Sequence, residues 1–200
     1  MICLIDYGAG NLFSVQKAVE FLGYRPRISN RAADLEKADK IIFPGVGSFG
    51  RAVGNLQQAA LGPKIREVVD AGTPFLGICL GLQLFFAQSE ESPNVRGLDL
   101  VAGRVKKFQN GLKIPHLGWN SVSQCNTKSP LWHEIPEHVY CYFAHSYYIE
   151  PDDPNLIIAT CDYGGDYPVA IQRNNLFGLQ FHPEKSQKWG LEILHNFLKL

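Results

Sequence analysis

The most informative stretch of this chain is Thr-Pro-Phe-Leu-Gly-Ile-Cys-Leu-Gly-Leu-Gln, residues 73–83. Their apolar run at 73–78 predicts a buried strand, and we expect Cys79 to open a helix that extends to about Gln88. The cysteine stands in a Gly-x-Cys-x-Gly pattern. This is the cysteine counterpart of the Gly-x-Ser-x-Gly nucleophile elbow, in which a strand turns sharply into a helix.

The chemistry of such a turn favours a reactive thiol. The flanking glycines are needed because a sharp turn leaves no room for side chains beside the nucleophile. A helix N-terminus favours the thiolate, and its free N–H groups are suited to holding an oxyanion. An isolated cysteine is more often a buried structural residue. The strand, turn and helix around Cys79 favour a nucleophile instead.

A candidate base stands 103 residues further on, in His182-Pro183-Glu184. Residues i and i+2 of an extended chain point to the same side, and Pro183 biases His182 toward an extended backbone. We therefore expect Glu184 to orient the His182 ring, completing a set with Cys79. Taken alone, His-Pro-Glu is more typical of a surface turn.

Outside these motifs the pattern of elements changes once. Strands predicted at 2–5, 26–29 and 38–43 alternate with helices at 12–22, 51–59 and 63–71, which is typical of a parallel sheet with helices on both faces. After about residue 97 the extended segments follow one another: 100–108, 113–122, 138–149, 156–161, 169–172 and 176–181. A last helix is predicted at 187–198. We find no repeat or linker and expect a single domain, 1–200.

Composition excludes several classes of protein. The chain has 200 residues with 19 Lys+Arg and 19 Asp+Glu, so bulk charge does not favour nucleic acid or an anionic membrane. Apolar runs are shorter than the roughly 20 residues of a membrane helix, and the N-terminus lacks a basic signal region, so we expect a cytoplasmic protein. Five widely spaced cysteines without Cys-x-x-Cys predict free thiols rather than a disulfide frame or a zinc site.

A glycine loop offers an alternative interpretation. Residues 45–50, Gly-Val-Gly-Ser-Phe-Gly, match the dinucleotide fingerprint Gly-x-Gly-x-x-Gly between a strand and a helix. That fingerprint needs an acid about 20 residues on, at the end of the next strand, where this chain has Gly77-Ile78-Cys79. The earlier glycines at 8–10 lack the third glycine of the fingerprint. We favour a second role for residues 44–47, in which their N–H groups face the thiol from the adjacent strand.

The other histidines are less informative. His145 lies in Phe-Ala-His-Ser-Tyr-Tyr, 143–148, where a polar pocket and a half-buried sheet face are equally favoured. The remaining histidines have no comparable context and are expected to be surface or core residues: His116, His133, His138 and His195.

The motifs together resemble those of the class I (triad) glutamine amidotransferases. Residues 77–83 and 182–184 carry the resemblance to the class. A narrower resemblance to the glutaminase subunits of imidazole glycerol phosphate synthase rests on residues 6–12, 44–50, 115–120, 145–148 and 181–186. The family's fold is then expected: a three-layer, flavodoxin-like α/β fold with a central, mostly parallel sheet flanked by helices and an additional antiparallel strand region in the C-terminal half.

The resemblance also implies roles for individual residues. Cys79 would attack the side-chain amide of glutamine, and His182, oriented by Glu184, would carry the proton to ammonia and then activate water against the thioester. The family's other site positions correspond to an oxyanion hole at Val46, Gly47 and Leu80, whose 46–47 peptide turns first, and to glutamine-binding residues Gln83, His145, Ser146 and Tyr147. It implies no cofactor and no metal.

A partner follows from the same resemblance. Ammonia would pass to a cyclase with the (β/α)8 barrel fold, in a heterodimer that forms imidazole glycerol phosphate and aminoimidazole carboxamide ribotide in histidine biosynthesis. Candidates for the partner face or ammonia path are Asn11, Trp119, Asn120, Tyr142 and Lys185. Simple surface capping is the alternative for each of them.

Three other functions remain open on the sequence. A glutaminase serving another synthase, such as pyridoxal phosphate or anthranilate synthase, is disfavoured by Tyr-Gly-Ala-Gly-Asn at 7–11 and Gly-Trp-Asn at 118–120. A free-standing cysteine hydrolase or peptidase would turn over without a partner. A non-catalytic nucleotide-binding module would retain nucleotide on purification and would not need Cys79.

Overall fold

The computed structural model describes residues 1–8, 11–109 and 111–200. The first half alternates strands and helices: β1 Ile2–Ile5, α1 Leu12–Phe21, β2 Pro26–Ser29, α2 Ala32–Glu36, β3 Lys40–Gly45, α3 Phe49–Gln58, α4 Gly62–Asp70, β4 Phe75–Cys79 and α5 Leu80–Gln83. The second half is mostly strands: β5 Phe86–Ser89, β6 Val101–Lys107, β7 His116–Gln124, β8 His138–His145, β9 Tyr147–Pro151, β10 Ile157–Asp162, β11 Asp166–Arg173, β12 Leu176–Leu179 and then α6 Gln187–Lys199. Short 3-10 turns occupy Pro130–Trp132, Pro154–Leu156 and Pro183–Lys185.

Nine strands form one large mixed sheet in the order β2-β1-β3-β4-β12-β11-β10-β7-β8. The five strands from β2 to β12 run parallel to one another. The remaining neighbours pair antiparallel. Both predicted parts of the sheet, the parallel part and the C-terminal antiparallel part, are therefore confirmed. A second sheet of three strands has the order β5-β6-β9.

The sheet has a separate apolar core on each face. Side chains alternate along β3, so Ile41 and Phe43 join one core and Ile42 joins the other. Helices α3 and α4 bury Leu56 and Val68 in the first core. The second core receives side chains from helices α1 and α6, among them Val15, Val19, Ile193, Leu194 and Phe197. This is the three-layer arrangement expected from the alternation of strands and helices.

Two predicted elements are wrong in extent. The helix expected from Cys79 to about Gln88 ends at Gln83, and β5 begins at Phe86. Residues 84–86, Leu-Phe-Phe, are buried and present no polar face, so their pattern does not distinguish a helix from a strand. The strand expected at 138–149 is interrupted at Ser146, where the chain leaves the large sheet and enters the small one.

One short helix was not predicted. Helix α2 spans five residues, too few for a helical periodicity to appear, and its first turn has no side-chain cap.

The cysteines agree with the prediction of free thiols. All five are unpaired, and only Cys125 is exposed. Among the described residues, no helix combines the length and the apolar character needed to cross a membrane.

Candidate functional site

The turn at Cys79 is sharp and depends on glycine. Cys79 ends β4 with φ 55° and ψ −110°, in the left-handed region that L side chains rarely adopt. A Cβ on Gly77 would lie 2.4 Å from Phe85 Cζ, and one on Gly81 would lie 1.9 Å from the Phe43 carbonyl oxygen. Helix α5 is only four residues long, so it offers the thiol free N–H groups rather than a long helix dipole.

The sheet brings the histidine to this turn. Strands β4 and β12 are parallel neighbours, with Gly77 opposite Gly178 and Ile78 opposite Leu179. Their carboxyl ends therefore lie at the same edge of the sheet, where Cys79 ends one strand and His182 follows the other. Residues 103 positions apart in sequence meet here because of strand order alone.

His182 makes a buried hydrogen bond with Glu184. Its Nδ1 lies 2.9 Å from Glu184 Oε1, and the two side chains are 3% and 1% exposed. Burial by itself lowers the pKa of His182, but side-chain hydrogen bonds with Cys79 and Glu184, and the negative charges of both, outweigh burial and raise it to about 10. Because Nδ1 is occupied by Glu184, Nε2 is the nitrogen left to exchange a proton with the thiol.

The contact between His182 and Glu184 is made differently from the predicted one. His182 is extended, with φ −96° and ψ 96°, but Pro183–Lys185 then forms a 3-10 turn. The carboxylate therefore reaches the ring across a turn rather than along a straight strand. Glu184 Oε2 is buried and has no hydrogen-bond partner among the described residues.

The thiol opens into a cavity of about 310 Å³. Its walls contain Cys79 and His182 together with every residue predicted for the oxyanion hole and for glutamine: Val46, Gly47, Leu80, Gln83, His145, Ser146 and Tyr147. Lys185, predicted for the partner side, also lines it. The walls include residues that sequence reasoning did not single out: Glu91, Pro115, Leu117 and Ala144. The roles of all these residues stay predictions.

The loop after β3 lies beside the thiol as expected. Gly45 pairs with Cys79 in the register of β3 and β4. A Cβ on Gly45 would lie 2.6 Å from the Tyr7 hydroxyl and 2.8 Å from the Gly81 nitrogen, so the approach requires glycine. Gly47 follows with φ +106°. The loop therefore lies beside the thiol, with Val46 and Gly47 in the wall of the same cavity, and its oxyanion role stays a prediction.

Hydrogen bonds at the start of α3 exclude a dinucleotide site at this loop. That site would need the free N–H groups at the start of α3 to bind phosphate. Phe49 N–H instead donates to Glu91 Oε2 at 2.7 Å, and Gly50 N–H donates to Ser92 Oγ at 3.1 Å. A carboxylate of the chain itself occupies the position that an anionic ligand would take.

A buried hydrogen-bond network lies behind the cavity. The Tyr147 carbonyl accepts from His145 Nδ1 at 2.8 Å and from Gln83 Nε2 at 3.0 Å. His145 Nε2 is 3.0 Å from Nδ1 of His116, which lies opposite it on β7. Burial lowers the pKa of His116 to about 4 and, as the largest of several causes, that of His145 to about 3, so both rings are neutral at pH 7. Inward, Gln83 Nε2 also donates to Gln180 Oε1 at 3.1 Å.

Sequence reasoning missed two members of this network. His116 was expected to be an unremarkable surface or core histidine, and Gln180 was not considered. Gln180 could have been found from its place in the chain, because it stands two residues before His182 at the end of the last predicted strand. No local pattern indicated His116, since its importance comes from the pairing of β7 with β8.

The candidates for a partner face fall into two groups. Trp119 packs edge-on against Tyr142 at 6.1 Å between ring centroids, and Lys185 Nζ lies 5.7 Å from the centre of the Tyr142 ring. These three form a continuous patch beside the cavity. Asn120 donates to the Asp162 carbonyl at 2.9 Å, and Asn11 caps α1, so both have structural contacts of their own.

Comparisons with solved structures support the fold. A putative GMP synthase protein from Thermoplasma acidophilum has a TM-score of 0.74 at 21% identity, covering 99% of this chain and 92% of that one. PurLQS from Thermotoga maritima has a TM-score of 0.79 at 19% identity, covering 99% of this chain and 97% of that one. At these identities the likeness concerns the fold alone.

Sequence comparisons are more specific. The family model "Glutamine amidotransferase class-I" matches residues 3–200. The imidazole glycerol phosphate synthase subunit HisH of Moorella thermoacetica is 50% identical, covering 100% of this chain and 94% of that protein. The HisH subunit of Methanocaldococcus jannaschii is 48% identical, covering 100% of both chains. With the cysteine and histidine lining one cavity and the glutamate bonded to the histidine, the chain belongs to the class I glutamine amidotransferase family, together with the HisH subunits.

Proposed function

We propose that this chain is the glutaminase subunit of an imidazole glycerol phosphate synthase, formed by one cytoplasmic glutamine amidotransferase domain, 1–200, that supplies ammonia for histidine biosynthesis. The observation that carries the proposal is the buried contact of 2.9 Å between His182 Nδ1 and Glu184 Oε1, with His182 and the Cys79 thiol lining the same cavity. The identity of 50% and 48% to two HisH subunits supports the choice of synthase.

The reaction begins at the sulfur. His182 Nε2 takes the proton of the Cys79 thiol, and the thiolate attacks the side-chain amide carbon of glutamine. The tetrahedral oxyanion is held by backbone N–H groups of Gly47 and Leu80. The imidazolium returns the proton to the leaving nitrogen, the C–N bond breaks, and ammonia departs from a glutamyl thioester.

Hydrolysis regenerates the site. His182 accepts a proton from water as the water attacks the thioester carbonyl, the C–S bond breaks, the imidazolium returns that proton to the Cys79 sulfur, and glutamate leaves. Glu184 remains an acceptor for His182 Nδ1–H throughout, keeping the ring in one orientation and stabilising its positive form. The amino-acid end of glutamine is bound by the polar walls of the cavity: Gln83, His145, Ser146 and Tyr147.

Ammonia needs a protected exit. In water near neutral pH ammonia is mostly ammonium, which is not a nucleophile, so a closed route to the acceptor preserves its reactivity. In the proposed heterodimer the partner is the cyclase with the (β/α)8 barrel fold, which uses the ammonia to form imidazole glycerol phosphate and aminoimidazole carboxamide ribotide. The patch of Trp119, Tyr142 and Lys185 beside the cavity, with exposed Leu117, supports docking at this edge.

Glutamate release from glutamine tests the proposal. We would measure it for the chain alone, with the cyclase barrel, and with the barrel and its ribotide ligand, expecting stimulation by the loaded barrel. Cys79→Ala should abolish release, whereas Cys125→Ala, at an exposed thiol outside the cavity, should not. Release that ignores the barrel would assign the chain to another synthase or to a free-standing hydrolase. No release under any condition would overturn the triad.

A further inference from the structure

Gln180 touches the nucleophile but is not part of the triad. It follows β12 directly and its side chain is completely buried, with 0% exposure. Its Nε2 lies 3.7 Å from Cys79 Sγ, within hydrogen-bond distance for a sulfur acceptor. Its Oε1 accepts from Gln83 Nε2 at 3.1 Å. Burying a polar amide costs free energy unless both of its ends are hydrogen-bonded, so the contact with the thiol is expected to be a hydrogen bond.

The direction of this contact is set by a backbone carbonyl. The Tyr147 oxygen can only accept, so the Gln83 atom 3.0 Å from it must be the nitrogen. That same nitrogen lies against Gln180, which must therefore present its oxygen to Gln83. The remaining end of the Gln180 amide, its NH2 group, is left facing the sulfur. Reversing either amide would place two donors or two acceptors against each other.

Gln180 also stands close to the base in sequence. The chain bends at residues 180 and 181, between β12 and His182, and the side chains of Gln180 and His182 are both buried at the end of the strand beside β4. The Gln180 backbone N–H is bonded to the Val169 carbonyl at 2.8 Å, which anchors this segment to β11. The sulfur thus has an ionisable donor in His182 and a neutral donor in Gln180.

We propose that Gln180 is a further catalytic residue, whose side-chain N–H donates to the Cys79 sulfur and stabilises its thiolate. This inference rests on the proposed glutaminase function. When the thiol proton moves to His182 Nε2, the negative charge on sulfur is met by the Gln180 N–H, and no bond to Gln180 forms or breaks. The contact weakens when the sulfur is acylated and returns when the C–S bond breaks.

The physical argument is the burial of the sulfur, since Cys79 is only 6% exposed. Burial disfavours a charged thiolate unless donors compensate, and hydrogen bonds to charged groups are stronger than those between neutral ones. A neutral amide suits this position because it does not compete with His182 for the proton. Its donor strength is also independent of pH, so it acts at every stage of the cycle in which the sulfur is negative.

Gln180→Met is the direct test, because methionine keeps the approximate shape and removes the donor. The matched control is Asn196→Leu, which deletes an amide that is also buried but donates to the Leu131 and His133 carbonyls, outside the cavity. Alkylation of Cys79 by iodoacetamide is followed against pH, with each cysteine resolved by mass spectrometry. Glutamate release is measured in the complex with the cyclase.

We expect Gln180→Met to move the Cys79 alkylation profile to higher pH and to reduce kcat roughly ten- to hundred-fold, the effect of one hydrogen bond to a charged group. Asn196→Leu should change neither. An unchanged profile and kcat in Gln180→Met, with an active wild type, would overturn the role of Gln180 alone. An inactive wild-type complex would instead overturn the proposed glutaminase.

A measurement on the native side chain covers the case in which Gln180→Met does not fold. The side-chain amide protons of Gln180 are followed by NMR in protein labelled with ¹⁵N. They should shift downfield through the pH interval in which Cys79 becomes reactive, and this shift should disappear in Cys79→Ala. Gln180 amide resonances that stay constant through that interval would contradict the proposal.

Discussion

The turn at Cys79 depends on the absence of a single side chain at Gly81. A Cβ there would lie 1.9 Å from the Phe43 carbonyl oxygen, which belongs to the backbone of β3 and cannot move away cheaply. We expect Gly81→Ala to force α5 away from β3 and to lower the free energy of unfolding by about 2–3 kcal/mol or more. Urea denaturation measures the change.

Gly54 provides the control for that substitution. It lies inside α3, and a Cβ added there meets no atom within 4 Å. Gly54→Ala should leave the free energy of unfolding unchanged or raise it by up to about 1 kcal/mol, because alanine restricts the unfolded chain and favours the helix. Equal effects at the two glycines would show that the close approach of α5 to β3 is not what requires Gly81.

The buried pair of His116 and His145 predicts a pH dependence of stability. Their pKa values are lowered from 6.5 to about 4 and about 3, chiefly by burial, so the unfolded chain binds more protons than the folded chain below about pH 6.5. The free energy of unfolding should therefore fall as the pH drops from 6.5 toward 4. His182 has the opposite sign, since its raised pKa contributes stability that is present below pH 6.5 and lost toward pH 10.

His116→Phe tests the acidic side of this dependence. The ring stacks between Phe143 and Tyr163, at centroid distances of 4.5 and 4.0 Å, so phenylalanine fits the shape and removes the titrating group. We expect a shallower loss of stability between pH 6.5 and 4 in urea denaturation series. The same substitution at the exposed His133 measures the effect of simply removing an imidazole. A slope equal to the wild-type slope in His116→Phe would contradict the prediction.

At the scale of the element, Asn11 is predicted for the partner face and also caps helix α1. Asn11 Oδ1 accepts from Ser14 N–H at 3.4 Å, and its Nδ2 donates to Ser14 Oγ at 2.6 Å. We expect Asn11→Ala to lower the free energy of unfolding by about 1 kcal/mol, the usual effect of losing an N-cap. Thermal or urea denaturation measures it, and an unchanged stability would rule out the capping role.

Asn11→Asp separates capping from partner binding. Aspartate keeps the acceptor and adds a negative charge favoured at a helix N-terminus, so its stability should stay within about 0.5 kcal/mol of wild type. Weaker cyclase binding by this stable variant would assign Asn11 to the interface. Wild-type binding by both variants would leave Asn11 as a cap only.

At the scale of the whole molecule, the cavity is assembled from both halves of the sheet. The parallel half supplies Cys79 and the loop after β3, the strand at the junction leads to His182, and the antiparallel half supplies His145. The surface beside the cavity carries exposed apolar groups, with Leu117 63% and Trp119 46% exposed. Apolar groups exposed beside a reactive site are typical of a surface that a partner covers.

Trp119 therefore offers a probe for the proposed complex. We expect its fluorescence to shift to the blue when the cyclase is added, because burial removes the indole from water, and the shift should be absent in Trp119→Phe. Trp132 is buried and its emission should stay the same, and the partly buried Trp189, which lies near Trp119, is replaced by phenylalanine in both proteins so that it does not contribute. Trp119→Ala should also weaken the complex roughly ten-fold, the effect of a peripheral aromatic contact. A blue shift that survives in Trp119→Phe would place the contact elsewhere.

Elements whose signals are local can be predicted from the sequence. The Gly-x-Cys-x-Gly turn, the alternation of strands and helices in the first half, and the presence of Glu184 beside His182 all follow from residues within a few positions of one another. Short apolar runs are harder to assign to a helix or a strand from the sequence. Residues 84–86 are predicted as helix, although α5 ends at Gln83 and β5 begins at Phe86. Their burial on every side removes the periodicity that distinguishes a helix from a strand.

Which of these elements meet is visible only in the folded chain. Strand order places β12 beside β4 and so brings His182 to Cys79. The register of β7 and β8 sets His116 opposite His145. The Tyr147 carbonyl, an acceptor common to all residues and invisible in a sequence, orients Gln83 and through it Gln180 toward the sulfur. Contacts of this kind depend on pairings between distant segments, and a local pattern carries no information about them.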